Sequence, residues 1–218
     1  MLSQSRFPFL SDCRARTLTQ TILLVCLLFV RFCYPLISQS FYVIASYILS
    51  FLFILTITKN DRHIYNLTRL NKKEIIVGCF IGLFCLVLNV IITRLFFENT
   101  FAKPIGIELL NFSILLFVVM VILQFPLNAL PEELLFRGFL WGHSRRFKLS
   151  NLSILLIQAI LFWGAHYYYF DRPWIWIRVM VAGLIFGIVA WKTQSLFISA
   201  VAHACWNSAP VFFDSRFY

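Results

Sequence analysis

The stretch LLNFSILLFVVMVILQFPLNALPEELLFRGFLW, residues 109–141, decides the fold of this chain. As a helix these 33 residues would measure roughly 50 Å, well beyond the hydrocarbon core of a bilayer, which is about 30 Å thick. Pro126 and Pro131 interrupt the stretch, because each lacks a backbone donor and crowds the preceding turn. We therefore predict either a kinked helix or a span over 109–130 followed by a second, shorter helix that begins near Pro131.

The composition of the whole chain places this stretch in a membrane. Of the 218 residues 61% are apolar and 13% are charged, whereas a soluble domain has about 45–50% and about 25%. These values exclude a soluble globular enzyme, and the apolar content excludes a disordered chain. The sequence therefore predicts an all-α polytopic membrane protein, associated with the lipid bilayer.

Apolar runs of span length predict about seven transmembrane helices. The predicted spans cover residues 20–36, 41–58, 75–97, 109–130, 150–170, 174–191 and 196–213. The polar N-terminal segment carries Arg6, Arg14 and Arg16 and resembles a signal peptide. Because no small-residue cleavage site follows, we predict an uncleaved first span, with an organellar transit peptide as the alternative.

The distribution of basic residues predicts the orientation of these spans. With the N-terminus inside, thirteen of the nineteen Lys and Arg residues lie in cytoplasmic segments and four in outer segments, while Arg31 and Arg178 lie within spans. Such an excess is typical of cytoplasmic loops. The net charge of +10 is therefore explained by topology, and we expect no nucleic-acid partner. We expect a bacterial inner membrane, with an organellar or endoplasmic reticulum membrane as alternatives.

Several reactive residue types have ordinary structural interpretations. The six cysteines include no C-x-x-C pair and are interpreted as small buried hydrophobic residues. His63 and His143 lie in basic loops, where we expect them to be solvated. Gly183 and Gly187, four residues apart in the sixth span, predict a close helix crossing.

Two adjacent carboxylates, Glu132 and Glu133, lie inside the apolar stretch, where each costs about 2.5–3.5 kcal/mol. Glu133 precedes Arg137 by four residues, the favoured spacing and order for an ion pair on a helix. Glu132 has no basic residue three or four positions away. We therefore predict that Glu133 is tied to Arg137 and that Glu132 is left free for chemistry. The alternative is that both acids cap a helix N-terminus after Pro131.

Two further polar insertions occur in the later spans. His166 lies in the fifth span, and His203 and Asn207 lie four residues apart on one face of the seventh. A lone intramembrane histidine usually only bonds a neighbouring helix. However, residues 132 and 166 are equidistant from position 149, at the basic turn between their helices. If those helices run antiparallel, Glu132 and His166 face each other at a similar depth.

These residues form a known set of motifs. E-E-x3-R at Glu132, F-x3-H ending at His166 and H-x3-N at His203 occur in order over roughly 114–209. In this respect the chain resembles the CPBP family, the CaaX-protease and bacteriocin-processing (Abi) family of intramembrane endopeptidases. The resemblance implies a catalytic membrane domain over 111–213, a helical bundle in the C-terminal half. Residues 1–110 carry no motif of the family.

The resemblance also implies a mechanism. Glu132 and His166 would activate a water, His203 and Asn207 would hold the oxyanion, and Glu133 and Arg137 would complete the site. The implied substrate is a membrane-associated protein or peptide, drawn from prenylated CaaX tails, bacteriocin leaders or C-terminal sorting tails. We expect no cofactor.

Three alternatives stay open at this point. A zinc-dependent metalloprotease would use Glu132, His166 and His203 as ligands and Glu133 as the base. A transporter would relay protons through the same buried groups. A catalytically silent member of the family would act as a membrane scaffold.

Overall fold

The computed structural model describes residues 13–57, 62, 65–66, 72–97 and 107–209, and within them it contains helices and no strand. We number the helices α1 to α7. They span Cys13–Phe32, Gln39–Leu55, Lys72–Phe97, the continuous run from Ile107 to Arg146, Asn151–Gly164, Pro173–Thr193 and Leu196–Ser208. Short 3₁₀ turns, Tyr34–Leu36 and Tyr167–Tyr169, follow α1 and α5. The predictions for Arg6, for His63 and for the last four residues of the seventh span lie outside the described residues.

The described helices have the composition and surface of an integral membrane protein. Three are long and apolar enough to cross a bilayer, with spans Ala15–Phe32, Ile114–Arg146 and Ile175–Thr193, while Gln39–Leu55 and Asn151–Gly164 are shorter apolar helices. Beside an apolar core, many polar side chains are buried and many large apolar side chains are exposed, unlike in a soluble protein. The all-α membrane fold is therefore confirmed, and the count of seven spans stays a prediction.

The helix α4 passes through both prolines without ending. It does so by widening into π-helix at Phe125–Ala129 and at Leu134–Leu140, on either side of the single α-turn Leu130–Glu133. The predicted second helix beginning at Pro131 is therefore wrong. In a π-segment each N–H bonds the carbonyl five residues earlier instead of four. The N–H that a proline lacks is therefore missing where the α-helical hydrogen-bond pattern is already displaced.

The first π-segment leaves a carbonyl that another helix satisfies. The N–H of Leu130 bonds the Phe125 carbonyl, and residue 131 is a proline without an N–H. The Pro126 carbonyl therefore has no partner within its own helix. The Tyr47 hydroxyl on α2 donates to it at 2.5 Å. This bond ties α2 to the helix that carries the two glutamates.

The helix α5 ends earlier than the predicted fifth span. Ser150 caps its N-terminus, where its Oγ accepts from the Ser153 N–H at 3.1 Å. Its last residue is Gly164, and the chain then turns through His166 into the 3₁₀ segment. His166 therefore lies in a turn and not within a helix, where it can bend back over the end of α5.

The predicted close crossing at Gly183 and Gly187 is confirmed. A Cβ at Gly187 would lie 2.3 Å from Gln158 Nε2, and one at Gly183 would lie 3.1 Å from the Phe162 ring on α5. Gln158 is fully buried and donates to the Gly183 carbonyl at 3.1 Å. A larger residue at either position would force these side chains of α5 to move.

Two predictions about ordinary residues are wrong. His143 is buried rather than solvated, since its Nε2 shares a hydrogen bond with Thr21 Oγ1 of α1 at 3.2 Å. Of the five cysteines whose side chains are described, Cys85 and Cys205 are buried, Cys79 is exposed, and all five are free thiols. Apolar side chains of a membrane protein also cover its outer surface, so an apolar run does not by itself bury its cysteines.

The N-terminal helices share one core with α4. Leu24 and Leu27 of α1 and Phe53 of α2 pack with Phe136 and Phe139 in a single apolar cluster. The Phe53 and Phe139 rings stack with their centroids 4.1 Å apart. Segments that carry no family motif therefore support the helix that carries the first motif.

The orientation predicted from the basic residues has a direct test. Lys148 and Asp171 are exposed and lie beyond opposite ends of α5. In a variant without native cysteines, we expect Lys148→Cys to react with an impermeant maleimide from the cytoplasmic side and Asp171→Cys from the other. Labelling after permeabilisation is the control. Reaction of both positions from one side of sealed vesicles would contradict the predicted topology.

Candidate active site

Three of the six residues singled out in the sequence line one cavity of about 440 Å³. Glu132 reaches it from α4, His166 from the turn after α5, and Asn207 from α7. The rest of the lining is mostly polar and aromatic and comprises Tyr34, Gln124, Asn128, Tyr168, Tyr169, Arg172, Ile175, Arg178, Val179 and Trp206. A polar cavity among apolar helices is the arrangement that hydrolysis inside a membrane requires, because water must reach the scissile bond.

The carboxylate of Glu132 has two oxygens in different surroundings. Its Oε1 lies 3.0 Å from Nη2 of Arg31. Its Oε2 lies 3.8 Å from Nε2 of His166 and 3.8 Å from Nε2 of His203, and it has no hydrogen-bond partner among the described residues. The prediction that Glu132 is left free is therefore wrong for Oε1, whose partner comes from α1. One oxygen is nevertheless left open for chemistry.

The predicted approach of Glu132 and His166 is confirmed, and the tautomer of His166 follows from its contacts. Its Nδ1 lies 2.7 Å from the Phe162 carbonyl, an acceptor left unpaired at the end of α5. Since a carbonyl only accepts, Nδ1 carries the proton and Nε2 is the acceptor. Arg31 Nη2 donates to that Nε2 at 2.6 Å.

Glu133 is enclosed by donors and is not open to the cavity. Its Oε1 accepts from Arg137 Nη1 at 3.0 Å and lies 2.9 Å from His203 Nδ1, while its Oε2 accepts from Ser199 Oγ at 2.5 Å. Glu133 and Arg137 are both fully buried. The predicted ion pair is present. Its function here is to fix the ring of His203, whose Nε2 then points towards Glu132.

Arg137 is held in turn by α5 and α6. Its Nη2 donates to the Gly183 carbonyl at 3.0 Å, and its guanidinium lies 4.5 Å from the centre of the Phe162 ring. The close crossing of α5 and α6 therefore places the Gly183 carbonyl beside the fully buried charge of Arg137. The packing of these helices and the position of His203 depend on each other.

Polar residues at four-residue spacing on α4 lead to the Glu132 carboxylate. Gln124, Asn128 and Glu132 all line the cavity, and Asn128 Nδ2 donates to Gln124 Oε1 at 2.7 Å. They form a polar stripe on an otherwise apolar helix. Asn207 lies across the same cavity on α7, whereas His203, one turn earlier, lies within its wall and is 2% exposed.

Sequence reasoning missed several residues of this site. Arg31 contacts both Glu132 and His166, and Tyr34, Tyr168 and Tyr169 form an aromatic wall of the cavity. A signal for Arg31 was present, because a charged residue inside a span is itself a candidate for function. The three tyrosines directly after His166 were a weaker signal, since tyrosine is also common at membrane interfaces.

Comparison with known families identifies the segment that carries this site. Residues 114–209 match the family described as Type II CAAX prenyl endopeptidase, Rce1-like. The resemblance to this family is confirmed over those residues. The match includes all seven residues of the three motifs and indicates an intramembrane protease.

The other comparisons add no relatives. No curated protein matches the chain, and no solved structure does. The Rce1-like segment excludes α1, α2 and α3, so Tyr34 of the cavity lining and Arg31, which contacts Glu132 and His166, come from a part of the chain outside the match.

The contacts of Glu133 lead to a stability prediction. Glu133→Gln leaves Arg137 buried without its counter-ion, and breaking a buried pair in this way costs about 3–5 kcal/mol. We expect a clearly lower melting temperature in detergent, measured by intrinsic fluorescence. The control is Asp171→Asn, at an exposed turn, which we expect to melt like the wild type. Equal melting of the two variants would contradict the structural role of this pair.

Proposed function

We propose that the protein is an intramembrane endopeptidase that cleaves a membrane-associated protein or peptide of the CAAX type. In this proposal Glu132 is the general base and Asn207 is a donor to the oxyanion. The Rce1-like match supports the reaction class. The observation that carries the assignment of the base is the Oε2 atom of Glu132.

That oxygen has the position a general base needs. It belongs to a residue that lines the cavity, it lacks a hydrogen-bond partner among the described residues, and two imidazole nitrogens lie 3.8 Å away. A water beside Oε2, to one side of the lines that join it to the two imidazole nitrogens, would be within hydrogen-bond reach of the carboxylate. A base must be within such reach of the proton that it removes.

The proposed reaction transfers one proton twice. Glu132 Oε2 takes a proton from the water as the water oxygen forms a bond to the scissile carbonyl carbon. The C–N bond then breaks, and the protonated Glu132 returns the proton to the leaving amine. The carboxylate is regenerated, and the products are a new carboxyl group and a new amino group.

The tetrahedral intermediate needs donors for its oxyanion. The Asn207 side chain carries an amide N–H group and lines the cavity. The His203 ring is oriented by Glu133 through Nδ1, which carries the proton because a carboxylate only accepts. Its Nε2 faces the region near Glu132 and donates to the oxyanion when both ring nitrogens are protonated. A donor placed in advance towards developing negative charge contributes roughly 3–4 kcal/mol to the rate.

The zinc alternative fits the contacts of His166 less well. A zinc ligand must offer a lone pair to the metal. The Nε2 lone pair of His166 accepts from the Arg31 guanidinium at 2.6 Å, and the same cation is paired with Glu132. A fixed positive charge next to two of the three ligands opposes a divalent cation, which supports hydrolysis without a metal.

The assignment of the base is tested by Glu132→Gln. The amide has the shape of the carboxylate but is a far weaker base, and loss of a general base typically costs about 10²–10⁴-fold in rate. We expect cleavage of a synthetic farnesylated peptide with a CAAX terminus to fall by such a factor, with folding retained in a thermal melt. Asp171→Asn is the matched control. Wild-type turnover of the variant would show that another group is the base.

Metal dependence is tested on the purified protein. We expect less than stoichiometric zinc by elemental analysis and full activity after prolonged treatment with a chelator, because the proposed nucleophile is activated by a carboxylate. The control is a zinc protease treated in parallel. Stoichiometric metal, with activity lost to the chelator and restored by zinc, would instead support Glu132, His166 and His203 as ligands.

A further inference from the structure

Arg31 contacts both Glu132 and His166. It lies in the last turn of α1, the end of a helix where a cation is favoured. Its side chain is 1% exposed, and its guanidinium lies 5.3 Å from the Tyr34 ring and 5.8 Å from the Tyr42 ring. The charge is thus held in a fixed position among aromatic rings.

A single nitrogen of Arg31 makes both contacts. Nη2 lies 3.0 Å from Glu132 Oε1 and 2.6 Å from His166 Nε2. Because Nη2 carries two hydrogens, one can be donated to each acceptor at the same time. The planar guanidinium therefore sets the distance and the angle between the carboxylate and the imidazole, which a flexible point charge does not do.

These bonds determine which atoms remain available for chemistry. With Nδ1 bonded to Phe162 and Nε2 bonded to Arg31, His166 has no free lone pair to take a proton from water. With Oε1 of Glu132 paired, Oε2 is the open acceptor. Arg31 itself is absent from the cavity lining, so it acts on the reaction through the two residues that it holds.

We infer that Arg31 is a positioning residue of the active site, contributed by the first helix from outside the Rce1-like segment. It fixes the His166 tautomer and turns Oε2 of Glu132 towards the cavity. This inference rests on the proposed function, in which Glu132 is the base. It assigns a catalytic requirement to a helix in which no family motif occurs.

The activity test compares Arg31→Met with Arg16→Met on the peptide assay. Both variants remove one arginine from α1, and position 16 lies about four turns away. A misplaced reactive group can cost about 100-fold in rate, so we expect kcat of Arg31→Met to fall by that order with KM unchanged. Arg16→Met should keep the wild-type kcat. Arg31→Lys retains the charge and should recover part of the loss. A wild-type kcat in Arg31→Met would overturn the inference.

A second measurement does not depend on activity. Diethyl pyrocarbonate acylates a histidine through an unprotonated ring nitrogen, and in the wild type Arg31 occupies that nitrogen of His166. We expect faster modification of His166, mapped by mass spectrometry, in Arg31→Met and the wild-type rate in Arg16→Met, with His203 as internal reference. Equal rates in wild type and Arg31→Met would overturn the inference, whatever the peptide assay shows.

The two measurements separate failure of this inference from failure of the proposed function. If the wild type cleaves no CAAX peptide, the proposed substrate class fails and the His166 modification rates alone decide the position of Arg31. If Arg31→Met does not fold, Arg31→Lys takes its place, and we then expect it to have a lower kcat and faster modification of His166 than the wild type. Wild-type values of Arg31→Lys in both would then overturn the inference.

Discussion

The structure depends on the burial of two adjacent glutamates, Glu132 and Glu133, on α4. A buried charge is tolerated only when partners and hydrogen bonds compensate for its lost hydration. Glu133 obtains three donors, from Arg137, Ser199 and His203. Glu132 obtains Arg31. The helices that supply these donors must therefore meet at one place, and the site forms where they meet.

The two glutamates differ in how many of their carboxylate oxygens have hydrogen-bond partners. Both oxygens of Glu133 are bonded, so this carboxylate is fixed and its effect reaches the cavity only through the ring of His203. Glu132 keeps one oxygen without a partner among the described residues. An unsatisfied buried polar atom is costly, and such atoms persist where a reaction uses them. The contacts of Glu133 thus favour a structural role, and the open oxygen of Glu132 is the one that the proposed mechanism uses.

The π-segments of α4 allow this arrangement within a continuous helix. They lie on both sides of the turn that carries the glutamates, and the carbonyls near them accept from other parts of the chain. Tyr47 of α2 bonds the Pro126 carbonyl, and Asn66 bonds the Arg137 carbonyl at 2.9 Å. Distortions of this kind inside helices are frequent at functional sites. Here the two bonds also attach the N-terminal part of the chain to α4.

Much of this protein was determined by local sequence. Apolar runs and the excess of aromatic residues predicted an all-α membrane fold, and the four-residue spacing predicted the Glu133–Arg137 pair, because both depend on the geometry of single helices. The equal distances from residue 149 predicted the approach of Glu132 and His166, since a tight turn makes its two helices antiparallel. The motifs predicted the family that the comparison confirmed for residues 114–209.

Only the tertiary structure decided the partners that lie far apart in the chain. Arg31 is 101 positions from Glu132 in the sequence, and no periodicity relates α1 to α4. The burial of His143 against Thr21 follows from the same packing. The Pro126 carbonyl of α4, left unpaired at the first π-segment, is bonded by Tyr47 of another helix. Each buried charge and each unpaired carbonyl needs a hydrogen-bond partner. The fold determines which distant residue supplies that partner.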